Sequence, residues 1–160
     1  MRARPAELRR KPADRMNASD VLATYVIAQS GDASDVADLY AAQTRYIPGH
    51  TGQVLLTPSE IHEFESRLLA GYSKISGHVR MAAVDGNVVA AIVDWETTHI
   101  GTVPLPDGTV LEATNRILRL ETAEFIRIDD EGKIAEHVRI FDSADMRRQL
   151  VEDLTHGSAG

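Results

Sequence analysis

The chain has 160 residues, of which 43% are hydrophobic and 26% charged, and its formal net charge is −7. This composition predicts one soluble globular domain with a sufficient core, and the absence of cysteine excludes disulfides and thiolate chemistry. No apolar segment approaches the roughly 18 residues needed to cross a bilayer, so we expect a cytoplasmic protein.

Charge is distributed unevenly along the chain. Residues 1–15 carry six basic side chains against two acidic ones, which leaves 11 basic and 22 acidic side chains in the remainder. Because phosphate binding is electrostatic, so acidic a body argues against nucleic acid as the main partner, and no membrane partner is expected. Residues 1–17 lack periodicity and are interpreted as a disordered basic leader.

Three helices are predicted in the first half of the chain. Ser19 is a suitable N-cap for a helix that ends at Gly31. A second helix is expected over residues 34–42, followed by a short strand over residues 43–47. The Thr-Pro-Ser-Glu sequence at 57–60 is a capping box with proline in the first turn, and it predicts a third helix that extends to about residue 70.

Strands dominate the second half. Alternating apolar residues predict strands over 77–84, 87–99, 109–129 with a bend near the middle, and 133–141. Asp85-Gly86 is a strong two-residue hairpin signal. Ser143 is expected to cap a final helix over 144–154, followed by a disordered tail over 155–160. Helices followed by antiparallel strands indicate an α+β domain over 18–154, with the helices packed on one face of a curved sheet.

Titratable side chains recur inside strands that are otherwise apolar. Ionic groups on half-buried strands are costly unless they are paired or functional, so the pattern predicts a polar-lined pocket. Strand parity places Trp95 and His99 on the same face, and histidine is the commonest general acid or base. His99 is therefore a catalytic or ligand-binding candidate. The alternative is that it closes the end of its strand with a satisfied hydrogen bond.

The last two strands have a register that brings opposite charges together. With paired residue numbers that sum to about 263, both charge pairs form at once. This register pairs Glu124 with Arg139, Phe125 with Val138, Ile126 with His137, Arg127 with Glu136 and Ile128 with Ala135. If enclosed, Arg139 would keep Glu124 ionised as an anchor for a polar ligand. A structural cross-strand ion pair is the alternative.

Other candidate residues have weaker signals. Tyr46 and His50 flank a Pro-Gly turn, where a tyrosine hydroxyl can polarise a carbonyl; the alternatives are a core tyrosine and a loop histidine. Asn115 is a candidate donor to an oxyanion. The spacing of histidines and carboxylates matches no metal motif, so no metal site is predicted, and a nucleophile elbow is also missing.

Several segments together resemble the SnoaL-like polyketide cyclases. They are Thr98-His99-Ile100-Gly101, Leu105-Pro106-Asp107-Gly108, Ala123-Glu124-Phe125, Gly132-Lys133-Ile134, and the ending from Phe141-Asp142 to Gln149-Leu150. The resemblance spans about residues 18–152 and implies the nuclear transport factor 2-like superfamily, which includes ketosteroid isomerase, scytalone dehydratase and limonene epoxide hydrolase. It implies an α+β cone around a deep apolar pocket, and a homodimer formed through the outer face of the sheet.

The functional residues of these families transfer only in part. The acid/base Asp on the last strand of the aromatic polyketide cyclases falls at Arg139, and their pocket His on the preceding strand falls at Glu124. The last-strand Asp of the limonene epoxide hydrolases also falls at Arg139. The base of ketosteroid isomerase, expected near Ile47, is missing.

The sequence therefore predicts a cofactor-free lyase or isomerase that performs cyclisation, isomerisation or dehydration on a hydrophobic carbonyl compound, such as a polyketide intermediate. Glu124 or His99 is expected to transfer protons, and Tyr46 and Arg139 to polarise an oxygen. The predicted pocket residues are Trp95, His137, Asn115, His50 and Phe141. The alternatives are epoxide opening and a non-catalytic module for ligand binding or dimerisation.

Overall fold

The computed structural model describes residues 15–49, 52–105 and 108–151, and the predicted α+β class is confirmed. Five strands form one mixed sheet in the order β1-β7-β6-β3-β2, and β4 and β5 form a separate hairpin. The elements are α1 (Ala18–Ala28), α2 (Ala33–Ala37), β1 (Tyr40–Ile47), α3 (Pro58–Ala70), β2 (Tyr72–Asp85), β3 (Val88–His99), β4 (Val103–Pro104), β5 (Val110–Leu111), β6 (Ile117–Ile128), β7 (Ile134–Phe141) and α4 (Ser143–Val151).

Polar side chains cap the helices. The predicted capping box of α3 is confirmed, with Thr57 as the N-cap. Two other predicted caps are wrong by one or two residues. Asn17, not Ser19, caps α1, because its side chain accepts a backbone N–H of the first turn at 2.9 Å. Asp142, not Ser143, accepts the first backbone N–H groups of α4, at 2.9 and 3.0 Å.

The predicted leader lies mostly outside the described residues, of which Arg15 is the first. Met16 packs against the core and Asn17 caps α1, so both residues are fixed by the domain. The end of the predicted final helix beyond Val151 and the predicted tail over 155–160 also lie outside the described residues.

Three predicted boundaries are wrong because strand pairing overrides local sequence preference. The second helix ends at Ala37, since Tyr40 already pairs with Ile134 on parallel β7. Strand β2 begins at Tyr72 rather than residue 77, because Tyr72 pairs with His99 on β3. The long strand predicted over 109–129 is divided, because its first part pairs with β4 and only the second part joins the main sheet.

The predicted register of β6 and β7 is confirmed over most of its length. Glu124 lies opposite Arg139, and the other predicted pairs up to Arg127 and Glu136 are present. The prediction fails at Ile128, which pairs with Ile134 instead of Ala135, because the register shifts after Arg127.

The core lies between the helices and the concave face of the sheet. Its larger cluster joins α1 and α3 to the strands, with Tyr25, Tyr46 and Ile61 fully buried. A smaller cluster lies beside α4 and contains Leu105, Leu118, Met146 and Leu150. None of the helices in the described part of the chain is long and apolar enough to cross a membrane.

Candidate functional site

A cavity of about 490 Å³ lies between the two apolar clusters, as expected for a cone-shaped fold. Phe64 and Leu68 of α3 line it on one side, and Leu118 and Met146 line it on the other. Most of the wall is apolar. A cavity of this size and character is suited to a small hydrophobic molecule, with a few polar groups to orient it.

Two of these polar groups lie on neighbouring strands. Thr122 of β6 and Arg139 of β7 both line the cavity, although they are only 3% and 9% exposed. Burial lowers the pKa of Arg139 to about 10, so its guanidinium remains charged at neutral pH. The guanidinium carbon lies 5.7 Å from the ring centroid of Tyr25 and 5.9 Å from that of Tyr46, within the range of cation–π contacts.

Glu124 lies directly behind this polar surface and is completely buried. The Thr122 hydroxyl donates to Glu124 Oε1 at 2.7 Å, and Arg139 Nε lies 3.3 Å from the same oxygen. His137 Nε2 lies 2.7 Å from Glu124 Oε2. Both carboxylate oxygens are thus occupied by donors, and a buried carboxylate requires this satisfaction to remain ionised.

The partner of each ring nitrogen determines the tautomer of His137. Next to an ionised Glu124, Nε2 carries the proton and donates it. Nδ1 then accepts a hydrogen bond from the Tyr40 hydroxyl, 2.7 Å away. Burial raises the pKa of Tyr40 well above its usual range, which keeps this hydroxyl protonated. The Tyr46 ring stacks on His137 with a centroid distance of 4.6 Å and fixes the imidazole plane.

The chain of hydrogen bonds begins in the cavity wall at Trp95. Its indole Nε1 donates to the Thr122 hydroxyl oxygen at 2.9 Å, so the one proton of that hydroxyl is directed to Glu124. The result is a polar network that runs from the cavity through Thr122 to Glu124, and continues behind it through His137 to Tyr40. Such an arrangement can move a proton between a bound molecule and Glu124.

The structure brings most of the predicted site residues together. Trp95, Arg139 and Phe141 line the cavity. Glu124, His137 and Tyr46 lie behind its polar wall, joined to Arg139 by the contacts above and completely buried.

Two predicted residues, Asn115 and His99, are not part of this group. Asn115 is exposed at a positive φ of 55°, and its backbone N–H donates to the His99 carbonyl, because the chain turns there before it enters β6. His50 lies outside the described residues.

His99 is buried but is separate from the Glu124 network. Its Nδ1 lies 2.9 Å from the Thr114 hydroxyl and accepts the Thr114 backbone N–H at 3.3 Å, so Nε2 carries the proton. Nε2 has no hydrogen-bond partner among the described residues. Desolvation lowers the pKa of His99. The imidazole centroid lies 5.6 Å from the ring of Tyr72, and Tyr72 lines the cavity while His99 does not.

Several polar residues of the interior are not among the site residues predicted from the sequence. Thr122 lies two positions before Glu124 on the same strand, so strand parity alone would have placed both side chains on one face. Tyr40 lies in the segment 34–42, which the sequence predicts as a helix, but it is the first residue of β1. Glu65 occupies the core-facing side of α3, one turn after Ile61, and its helical spacing was the available signal. No group of three His, Asp or Glu side chains within residues 15–49, 52–105 and 108–151 is placed to hold a metal ion.

Comparison with known proteins gives one family and one fold. Residues 19–150 match the model of the family described as SnoaL-like polyketide cyclase. No curated protein sequence matches significantly. A candidate SnoaL-like polyketide cyclase from Jannaschia sp. CCS1 matches with a TM-score of 0.70 and 15% identity, over 86% of this chain and 96% of that chain.

Two further solved structures support the same fold. IdmH, a candidate polyketide cyclase from Streptomyces antibioticus, matches with a TM-score of 0.69 and 22% identity, over 84% of this chain and 99% of that one. A protein from Catenulispora acidiphila with a ketosteroid isomerase-like fold, solved with trimethylamine, has a TM-score of 0.67 and 14% identity over 81% and 91%. At these identities the structural likeness establishes the fold alone.

Proposed function

The chain belongs to the SnoaL-like polyketide cyclase family, and from this premise we propose that it is a cofactor-free enzyme for general acid/base chemistry on a hydrophobic carbonyl compound. The observation that carries the proposal is the hydrogen-bonded network that meets an apolar cavity at Thr122 and Arg139. Cyclisation, isomerisation and dehydration of polyketide-like intermediates share one early step, the removal of a proton next to a carbonyl.

Arg139 is the group proposed to bind the carbonyl oxygen. Its guanidinium lines the cavity, remains charged at neutral pH and is held in place by Glu124 and two tyrosine rings. A fixed cation in an apolar cavity stabilises the negative charge that develops on the oxygen of an enolate, and it needs no reorganisation during the reaction. The surrounding apolar wall strengthens this interaction by excluding water.

Glu124 is the proposed proton acceptor, and Thr122 is its contact with the cavity. As the carbon–hydrogen bond next to the carbonyl breaks, the Thr122 oxygen takes that proton and passes its own to Glu124, 2.7 Å away. The enolate electrons move to the oxygen held by Arg139. Glu124 then returns a proton in the second half of the reaction. His137 and Tyr40 keep the carboxylate oriented and are positioning residues.

Deuterium exchange tests this proposal without knowledge of the natural substrate. The purified protein is incubated in D₂O with α-tetralone, an apolar bicyclic ketone, and deuterium at the carbon next to the carbonyl is followed by NMR. We expect catalysed exchange in the wild type, and a loss of about 10²-fold or more in Glu124→Gln and in Thr122→Val. Unfolding temperatures establish that both variants are folded.

His99→Ala is the comparison variant, because His99 is the second candidate for proton transfer from the sequence. Loss of exchange in His99→Ala with full exchange in Glu124→Gln would assign the transfer to His99 instead. If the wild type binds α-tetralone but exchanges its protons no faster than buffer alone, the acid/base enzyme would be rejected and a ligand-binding module favoured.

Epoxide opening is a second candidate function, favoured by the ion pair at 3.3 Å between Arg139 and Glu124. In that reaction the pair would orient a water molecule for attack on an epoxide. Conversion of limonene oxide to a diol, together with background exchange of α-tetralone, would select this function over enolate chemistry.

A further inference from the structure

Glu65 of α3 is, like Glu124, a completely buried carboxyl group. It lies on the core-facing side of the helix together with Ile61 and Phe64. Its one hydrogen bond among the described residues comes from Gln29 Nε2, which lies 3.3 Å from Oε2. The other oxygen, Oε1, makes no well-formed hydrogen bond with the described residues, and no cation among those residues pairs with the carboxyl.

This environment keeps Glu65 neutral. Desolvation raises its pKa to about 8, so the group is mostly protonated at pH 7. A polar group buried with one long hydrogen bond costs stability, and an apolar side chain at this position would pack beside Ile61 and Phe64 without that cost. Core polar groups with such poor compensation are candidates for function.

Gln29 connects Glu65 to the cavity. It is the C-cap of α1, it is only 4% exposed, and its side chain lines the cavity from the helical side. One N–H of Nε2 is directed to Glu65, and the amide oxygen is the acceptor that Gln29 offers to a bound molecule. Arg139 and Thr122 line the same cavity from the sheet. The cavity therefore has a donor group on the sheet side and an acceptor on the helical side.

We propose that Gln29, held by Glu65, is a specificity-determining residue that accepts a hydrogen bond from a hydroxyl group of the ligand. Given the proposed function, on which this assignment rests, the preferred ligand is a hydroxyketone. Its carbonyl lies at Arg139 and its hydroxyl at Gln29. Glu65 does not line the cavity and acts as a positioning residue through Gln29.

Glu65 also interacts with the Tyr46 hydroxyl, which has no other partner among the described residues. Glu65 could thus serve only to anchor Tyr46 in the core. A purely structural role of this kind would change the unfolding temperature but not the preference among ligands. The two roles are therefore separable by measuring a ratio of affinities.

Calorimetric titration with α-tetralone and its positional hydroxymethyl derivatives measures this ratio. Each derivative differs from α-tetralone by one hydroxymethyl group, whose hydroxyl does not titrate near neutral pH and is the only added hydrogen-bonding group. We expect the best hydroxymethyl isomer to bind the wild type about 10-fold more tightly than α-tetralone itself. Gln29→Met, which keeps the side-chain volume, should remove this preference. Gln53→Met, at an exposed glutamine that also lines the cavity, should retain it.

Two substitutions of Glu65 test the positioning role. Glu65→Gln keeps a carbonyl oxygen that accepts from Gln29, so it should keep the preference, whereas Glu65→Met should lose it. Equal preference in the wild type and Gln29→Met, or no preference in the wild type, overturns the proposal. An unchanged ratio in a folded Glu65→Met overturns the positioning role. If Glu65→Met does not fold, Gln29→Met alone decides.

The deuterium-exchange assay separates failure of this inference from failure of the proposed function. A hydroxyl preference that depends on Gln29, without catalysed exchange, would keep the recognition site and reject the acid/base enzyme. Catalysed exchange without a hydroxyl preference would keep the acid/base enzyme and reject the recognition site at Gln29.

Discussion

Glu124 and Glu65 are both completely buried, but their electrostatic surroundings are different. The imidazole of His137 and the hydroxyl of Thr122 are hydrogen-bonded to the two oxygens of Glu124, and the Arg139 guanidinium lies 3.3 Å away as an ion pair, an arrangement that stabilises the anion. Glu65 has one amide donor, and burial raises its pKa from 4.5 to about 8. The two buried carboxyl groups thus differ in their electrostatic environment, because only Glu124 lies beside a cation. Enzymes use the same kind of difference to separate an acid from a base within one site.

The raised pKa of Glu65 predicts how stability varies with pH. Between pH 4.5 and about 8 the folded protein holds a proton on Glu65 that the unfolded chain has released. The free energy of unfolding should therefore fall as pH rises across this window, by roughly 1.4 kcal/mol per pH unit from this group. Glu65→Gln cannot ionise and should lack this dependence. Urea unfolding at several pH values measures both proteins.

The relevant quantity is the difference in the free energy of unfolding between the wild type and Glu65→Gln at each pH. Other titrating groups are common to both and cancel, apart from Glu124, Tyr40 and Tyr46, which interact with Glu65 electrostatically. Parallel pH profiles for the wild type and Glu65→Gln would show that Glu65 ionises in the fold as it does in water.

At this scale the sequence was informative where one strand register determines the contact. The pairing of Glu124 with Arg139, and of Ile126 with His137, follows from charge complementarity between adjacent strands and is confirmed. Tyr40 was not predictable in the same way, because its contact with His137 depends on the parallel pairing of β1 with β7, which no local pattern encodes. The Glu65–Gln29 contact joins two helices and was likewise outside local reasoning.

At the level of the elements, the position of Trp95 depends on a glycine in the adjacent strand. Gly77 of β2 lies opposite Trp95 of β3. A Cβ atom added at Gly77 would lie 2.6 Å from Trp95 Cζ3 and 2.7 Å from Val26 Cγ1, closer than real contacts allow. The missing side chain thus makes room for an indole that lines the cavity and donates to Thr122.

Gly77→Ala should displace this ring. We expect a loss of about 1–3 kcal/mol in the free energy of unfolding, typical of overpacking, and a shift in tryptophan emission as the Trp95 indole loses its hydrogen bond to Thr122. Trp95 is the only tryptophan in the sequence, so its fluorescence reports on the cavity directly. Ser76→Ala, an exposed neighbour on β2, is the control and should change stability by no more than about 0.5 kcal/mol. Unaltered emission in Gly77→Ala would contradict this account of the glycine.

Elements that begin or end at a local capping or turn motif were predicted well. The capping box defined the start of α3, and the Asp85-Gly86 turn defined the hairpin of β2 and β3. The start of β1 was missed because it is determined by a partner strand near the other end of the chain. The start of β2 was missed because polar residues before Gly77 are held by pairing with β3. Non-local hydrogen bonding explains both errors.

Across the whole molecule, the face of the sheet that the helices leave uncovered is unusually apolar. Two rows of apolar side chains cross four paired strands on this outer face. They are Met81, Ile92, Ala123 and Ile140 in one row, and Ala83, Ala90, Phe125 and Val138 in the other. Met81 is 66% exposed, Ile140 56% and Phe125 45%. Monomeric proteins seldom leave such a contiguous patch in water.

Charged rows flank this patch on both sides. Arg127 pairs with Glu136 across one edge, and Arg80 pairs with Asp94 and Glu121 across the other. An apolar centre with a polar rim is the anatomy of a protein interface, and a two-fold axis lets one such patch cover its own copy. We propose that the chain forms a homodimer through this outer face, as the family resemblance implies.

Phe125→Asp should convert that dimer into a monomer, because it places a charge at the centre of the apolar patch, where a partner would leave it without water. Sedimentation equilibrium should give the mass of two chains for the wild type and of one for the variant. Val110→Asp is the matched control, because Val110 is 63% exposed on β5, outside the five-stranded sheet. This substitution should leave the dimer intact. Phe125 points away from Glu124 and the cavity, so the folded monomer should retain exchange of α-tetralone. A monomeric wild type would contradict the proposed dimer.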